Sequence, residues 1–134
     1  MPVLLSEQRP IRTAEDVVAV RQAVRQRAIE MGFNLVDQTK IVTAASELAR
    51  NTLQYGGGGE ATIEGLDEIG RRGLRLTFED RGPGIPDLQL AMKDGFTTGT
   101  GLGLGLSGAR RLSSDFHIES KVGEGTRVVI TRWR

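Results

Sequence analysis

Three short segments hold the residues best able to do chemistry. The first is Glu47-Leu-Ala-Arg-Asn51. Glu47 and Asn51 stand four positions apart, so on a helix they project together from one face. A carboxylate and an amide oxygen placed this way can hold a water or hydroxyl and a hard cation. Such pairs also occur simply as polar residues at the border of a helix's apolar stripe.

The second segment is Glu79-Asp80-Arg-Gly82-Pro-Gly84, directly after a run of alternating apolar residues. Asp80 therefore falls at a strand end, where the chain must turn away. A carboxylate there can accept a hydrogen bond from an exocyclic amine such as that of adenine. Gly84 would let a flat base lie against the backbone. The bland alternative is a tight turn built from Asp, Gly and Pro.

The third segment is Gly95-Phe-Thr-Thr-Gly-Thr-Gly-Leu-Gly-Leu-Gly-Leu-Ser-Gly108, which opens into a helix. Glycines expose successive N–H groups, and a helix start adds partial positive charge, so the segment suits phosphate binding. Within it, Gly103-Leu-Gly105-Leu-Ser-Gly108 matches the dinucleotide fingerprint G-x-G-x-x-G. That fingerprint needs a preceding strand and an acidic residue about 20 positions later. TTGTGL is no strand and 125–130 offers no carboxylate, so the match is rejected. A Walker-type loop fails for want of a GK[ST] sequence.

The elements that must position these segments can be read from periodicity. Thr13-Ala-Glu-Asp16 caps a helix over about 14–31, with Val17, Val20, Val24, Ala28 and Met31 on one stripe. Arg21, Arg25 and Arg27 flank that stripe and offer a docking face or a solvated edge. A second helix runs from near Asp37 to Tyr55, with Ile41, Ala45, Leu48, Ala49 and Thr52 inward and Thr43, Arg50 and Gln54 pointing away. Strands follow at about 60–66 and 74–79, paired across an Asp67–Gly73 turn; Leu74, Leu76 and Phe78 are buried and the opposite face is wet. A short helix near 87–93 leads into the glycine-rich loop, a helix covers about 105–113, and strands at 115–121 and 126–133 close the chain. The expected fold is an α/β two-layer sandwich, a mixed, mainly antiparallel sheet with helices on one face.

Composition narrows the function classes. The 134 residues fit one domain, expected to span 1–134. Net charge is +1 and aromatic content is 4%, so neither nucleic acid nor a membrane is the expected partner. With no cysteine and one histidine, a zinc centre is not expected. No leader and no run of roughly 18 apolar residues is present, which points to a cytoplasmic protein. Glycine is the anomaly: 18 residues, crowded into 56–59, 82–84, 95–108 and 123–125.

Taken in order, the three segments resemble the N, G1 and G2 boxes of the GHKL ATPases, the superfamily of gyrase, Hsp90, histidine kinases and MutL. SELARN, EDRGPGIPD and the GEGT-strand-W ending are most similar to the small bacterial serine/threonine kinases of the anti-sigma group, in particular the stressosome switch kinases. The resemblance implies ATP and Mg²⁺. Asn51 would reach the metal and the phosphates, and Glu47 would be the general base on the attacking hydroxyl. Asp80 would read the adenine amine, with Gly82 in its turn and Gly84 beneath the base. Thr97, Thr98, Gly99, Gly101, Gly103, Leu104 and Gly105 would form a lid, with the amides from Gly103 to Leu106 on the phosphates. Thr126 would support the adenine site, and Arg110 or Arg111 would approach the phosphates.

The implied partners are a STAS-domain antagonist that is both binder and substrate, a STAS-type scaffold, and a PP2C-type phosphatase. An anti-sigma kinase that sequesters a sigma factor, or a nucleotide-responsive module without turnover, remain alternatives. The lid is shorter than in the large clamp ATPases. His117, between Phe116 and Ile118, reads as a strand side chain rather than a phosphorylation site.

Overall fold

The computed structural model describes residues 3–87, 92 and 105–134. Along the chain run β1 (Val3–Ile11), α1 (Ala14–Glu30), α2 (Leu35–Gln54), β2 (Gly59–Glu68), β3 (Arg71–Asp80), α3 (Gly105–Arg111), β4 (Asp115–Lys121) and β5 (Gly125–Trp133). The five strands form one sheet in the order β1-β2-β3-β5-β4, and every neighbouring pair is antiparallel. Apart from residues 87 and 92, the helix expected near 87–93 lies outside the described residues, as does most of the glycine-rich loop.

Local signals account for the helices. Thr13 Oγ1 accepts from the Asp16 amide at 3.1 Å while Asp16 Oδ2 accepts from the Thr13 amide at 3.2 Å, a reciprocal box that satisfies two orphan donors. The cap of α2 is Asn34, whose Oδ1 accepts from the Asp37 amide at 2.8 Å. The helix thus begins two residues before the position that periodicity suggests, because the cap and not the apolar stripe sets its start.

The anticipated stripes meet in one core. Val20, Val24 and Ala28 of α1 and Ile41, Ala45 and Leu48 of α2 pack with Ile63, Leu76, Phe78, Val128 and Ile130 of the sheet. Ala44, Ala45 and Ala49 are fully buried. Small side chains there let α2 pack closely against its neighbours.

Three features depart from the sequence reading. The N-terminal segment is an edge strand, paired with β2 from Val3 opposite Leu66 to Ile11 opposite Gly59. Its core-side face includes Glu7 and Arg9, which hide the apolar alternation. Glu7 is satisfied by Arg27 of α1, across the layers, at 2.9 Å and by Arg9 of its own strand at 2.7 Å. Burial opposes its charge, but the hydrogen bonds from both arginines outweigh that and hold its carboxyl below the usual range.

The turn between β2 and β3 is tighter than Asp67–Gly73, since Glu68 already pairs with Arg71. Ile69 and Gly70 alone make the reversal, with φ of 43° and 80°. A β-branched residue is a poor advertisement for such a turn. Finally, the sheet face opposite the helices is not simply wet. Thr77 and Thr131 are buried there, beside a two-pronged Arg75–Glu64 pair at 2.9 and 3.0 Å. Arg71 lies 3.8 Å over the Trp133 ring.

Candidate functional site

Asp80 ends β3, and two loops converge on its carboxylate. Oδ1 accepts from the Gly82 amide at 2.9 Å and from the Thr126 amide at 3.2 Å. Oδ2 is left outside both bonds. The carboxylate is therefore fixed by backbone rather than by another charge, and one oxygen remains to accept from a ligand.

The glycines around it are explained by contact. A Cβ on Gly59 would collide with the Glu79 carbonyl oxygen, and one on Gly56 would collide with the Asp80 side chain. Gly84 has φ +77°, and its Cβ would meet the Lys121 carbonyl. The closeness of Gly56 to Asp80 joins α2 to the strand-end carboxylate. From the helical rise, Asn51 lies about 8 Å and Glu47 about 14 Å before Gly56 along that axis. The C-terminal end of α2 thus meets the end of β3 at Asp80, with Asn51 and then Glu47 set progressively further back along the helix.

Glu47 is 8% exposed. Arg50 was expected to point away, yet its guanidinium donates to Glu47 Oε1 at 3.0 Å. The spacing of three makes the pair possible, and burial of Glu47 makes it worthwhile. Asn51 is half-buried one turn on. Its carbonyl accepts from the Tyr55 and Gly56 amides and so closes the helix. Gln54 is exposed and Thr43 half-buried.

A residue that sequence reasoning missed is Ser120. Its hydroxyl sits 2.8 Å from Thr126 Oγ1 and 3.2 Å from the Gly125 carbonyl, and it accepts from the Ile85 amide at 2.8 Å. It stitches the Gly84 loop to the hairpin that carries Thr126. The only hint is its place opposite Thr126 in a hairpin.

Of the expected lid, Thr97, Thr98, Gly99, Gly101, Gly103 and Leu104 lie outside the described residues. Gly105 and Leu106 open α3, which buries Leu106, Ser107 and Ala109 against the core side. Arg132 anchors this helix. It donates to the Leu112 carbonyl at 2.9 Å and to Asp37 of α2 at 2.7 Å. Arg110 and Arg111 are exposed. His117 is exposed and bonds Glu119 at 2.9 Å.

An antiparallel sheet covered by helices on one face, with an amide and a carboxylate on α2 and an aspartate at the end of β3, is the arrangement expected of a GHKL-type ATPase domain. Residues 36–133 match the family model for histidine kinase-, DNA gyrase B-, and HSP90-like ATPases. The chain is also 49% identical over 123 residues to the serine/threonine-protein kinase RsbT of Bacillus subtilis (strain 168), which covers 92% of each protein. The chain therefore belongs to this ATPase family and, within it, to the serine/threonine-protein kinases of the RsbT group.

Solved structures share the fold. The RsbU and RsbW domains of Rv1364c from Mycobacterium tuberculosis align at TM-score 0.65 and 23% identity, over 100% of this chain and 33% of that one. The SiaB-SiaC complex from Pseudomonas aeruginosa aligns at TM-score 0.54 and 16% identity, over 98% and 91%. No helix among the described residues is long and apolar enough to cross a membrane.

Proposed function

We propose that this chain is a single GHKL domain that transfers the γ-phosphoryl group of ATP to a serine or threonine hydroxyl of a STAS-domain antagonist or STAS-type scaffold. Binding and release of that partner would switch a PP2C-type phosphatase, in a cytoplasmic, stressosome-like pathway. The observation that carries the reading is Asp80: one oxygen immobilised by two backbone amides, the other left for the adenine amine, and α2 docked beside it through Gly56.

In this reading the adenine rests over Gly84, with Gly82 and Thr126 holding Asp80. The triphosphate runs along α2 past Asn51 toward Glu47. Thr97, Thr98, Gly99, Gly101, Gly103, Leu104, Gly105 and Leu106 enclose the phosphates. Glu47 accepts the proton of the attacking hydroxyl. That oxygen forms the new bond to the γ-phosphorus as the bond to ADP breaks.

The donor set fits magnesium. Among the described residues no group of three His, Cys, Asp or Glu side chains could hold a metal alone. A hard cation would use the Asn51 amide oxygen and keep phosphate and water ligands, which is the habit of Mg²⁺. Once bound, it would supply charge neutralisation for the phosphates.

The test is incubation with labelled ATP and a STAS-domain partner. Asn51→Ala should lower phosphoryl transfer about 100-fold or more while the domain stays folded by circular dichroism. Wild-type rates from a folded Asn51→Ala protein would remove this residue from the machinery. Tight ATP binding without label transfer by the wild type would favour a non-catalytic module, and capture of a sigma factor would favour an anti-sigma kinase.

A further inference from the structure

We infer that Arg50 is a positioning residue for phosphoryl transfer, acting through Glu47; this rests on the reading of Glu47 as the proton acceptor. Glu47 is 8% exposed, and an ionised carboxylate removed from water needs a donor. Arg50 supplies it, with a nitrogen 3.0 Å from Oε1. One oxygen is thereby committed and the rotamer fixed, while Oε2 stays outside this hydrogen bond for the hydroxyl proton.

The pair lies within a single helix at a spacing of three residues. It ties no two elements together, unlike Arg132, which bridges α2, β5 and the segment after α3. Its loss leaves the contacts between elements in place, and the cost to stability is confined to the Glu47 carboxylate, which loses its donor. Its consequence falls on how Glu47 is aimed, and aim matters steeply in proton and phosphoryl transfer.

The experiment is a double-mutant cycle on the full chain with ATP and the phosphoacceptor protein, together with melting temperatures and ATP affinity. Arg50→Ala should lower kcat roughly 10- to 100-fold with the KM for ATP close to wild type; the melting temperature should fall, because buried Glu47 loses its donor, while the domain stays folded by circular dichroism. Arg50→Lys should recover part of that loss, since an ammonium supplies charge but not the planar fork. In the Glu47→Gln background, Arg50→Ala should produce no further fall in the residual rate, because residues acting as a unit are non-additive.

Wild-type kcat in Arg50→Ala, with Glu47→Gln strongly impaired, would overturn the role of Arg50 and leave Glu47 standing. An additive loss in the Glu47→Gln background would overturn it as well. Wild-type kcat in Glu47→Gln would instead sink the proton-acceptor reading, and this inference with it.

Discussion

At its C-terminal end β3 runs into Asp80, where Gly56, Gly59, Gly82 and Gly125 bring backbone against backbone and two loop amides grip one carboxylate oxygen. At its N-terminal end the same strand emerges from a two-residue turn in which Ile69 is 99% exposed at a positive φ. The first end has no room for a single added carbon. The second carries a bulky side chain in a backbone conformation that suits glycine better. A ligand end must be held to tenths of an ångström, and close backbone contact does that without long side chains. A remote turn need only reverse the chain, and it tolerates a poor residue at modest cost.

Two substitutions test this contrast. Gly59→Ala should have the larger effect, since its Cβ would strike the Glu79 carbonyl and sit 3.0 Å from Thr52 Cγ2. We expect a destabilisation of about 3 kcal/mol by urea unfolding, with loss of ATP binding in the folded remainder. A benign Gly59→Ala would break the comparison at its root. Ile69→Gly should act in the opposite direction, gaining about 1 kcal/mol by relieving the positive-φ strain, with ATP affinity unchanged. Thermal melts would register a rise of roughly 4 °C. A fall in melting temperature would mean that the turn is not strained.

The layered fold and the segments that carry the candidate site were legible because they rest on local codes. Apolar spacing marked both long helices, the Thr13–Asp16 box marked the first start, and the alternation of Leu74, Leu76 and Phe78 marked a central strand. What escaped depends on partners distant in sequence. β1 was hidden because Glu7 belongs to a core-side face only when Arg27, twenty residues on, comes to meet it. Ser120 looks like any strand serine until the hairpin sets it against Thr126 and the Ile85 amide comes down on it. Arg50 was assigned to the solvent from its angle on the helix wheel. The buried carboxylate one turn earlier draws it back, an effect of environment and not of period. The glycines were legible as special, but only contact tells which of them make room for a neighbouring strand and which make a turn.

The central claim is that Asp80 reads the adenine amine with the oxygen its loop amides leave over, and nucleotide selectivity tests it most directly. Calorimetric titration should find ATP bound roughly 10- to 100-fold tighter than inosine triphosphate, whose base carries a carbonyl where adenine has its amine. Asp80→Asn should erase or reverse that preference while the domain stays folded. Equal affinity of the wild-type protein for the two nucleotides would contradict the account.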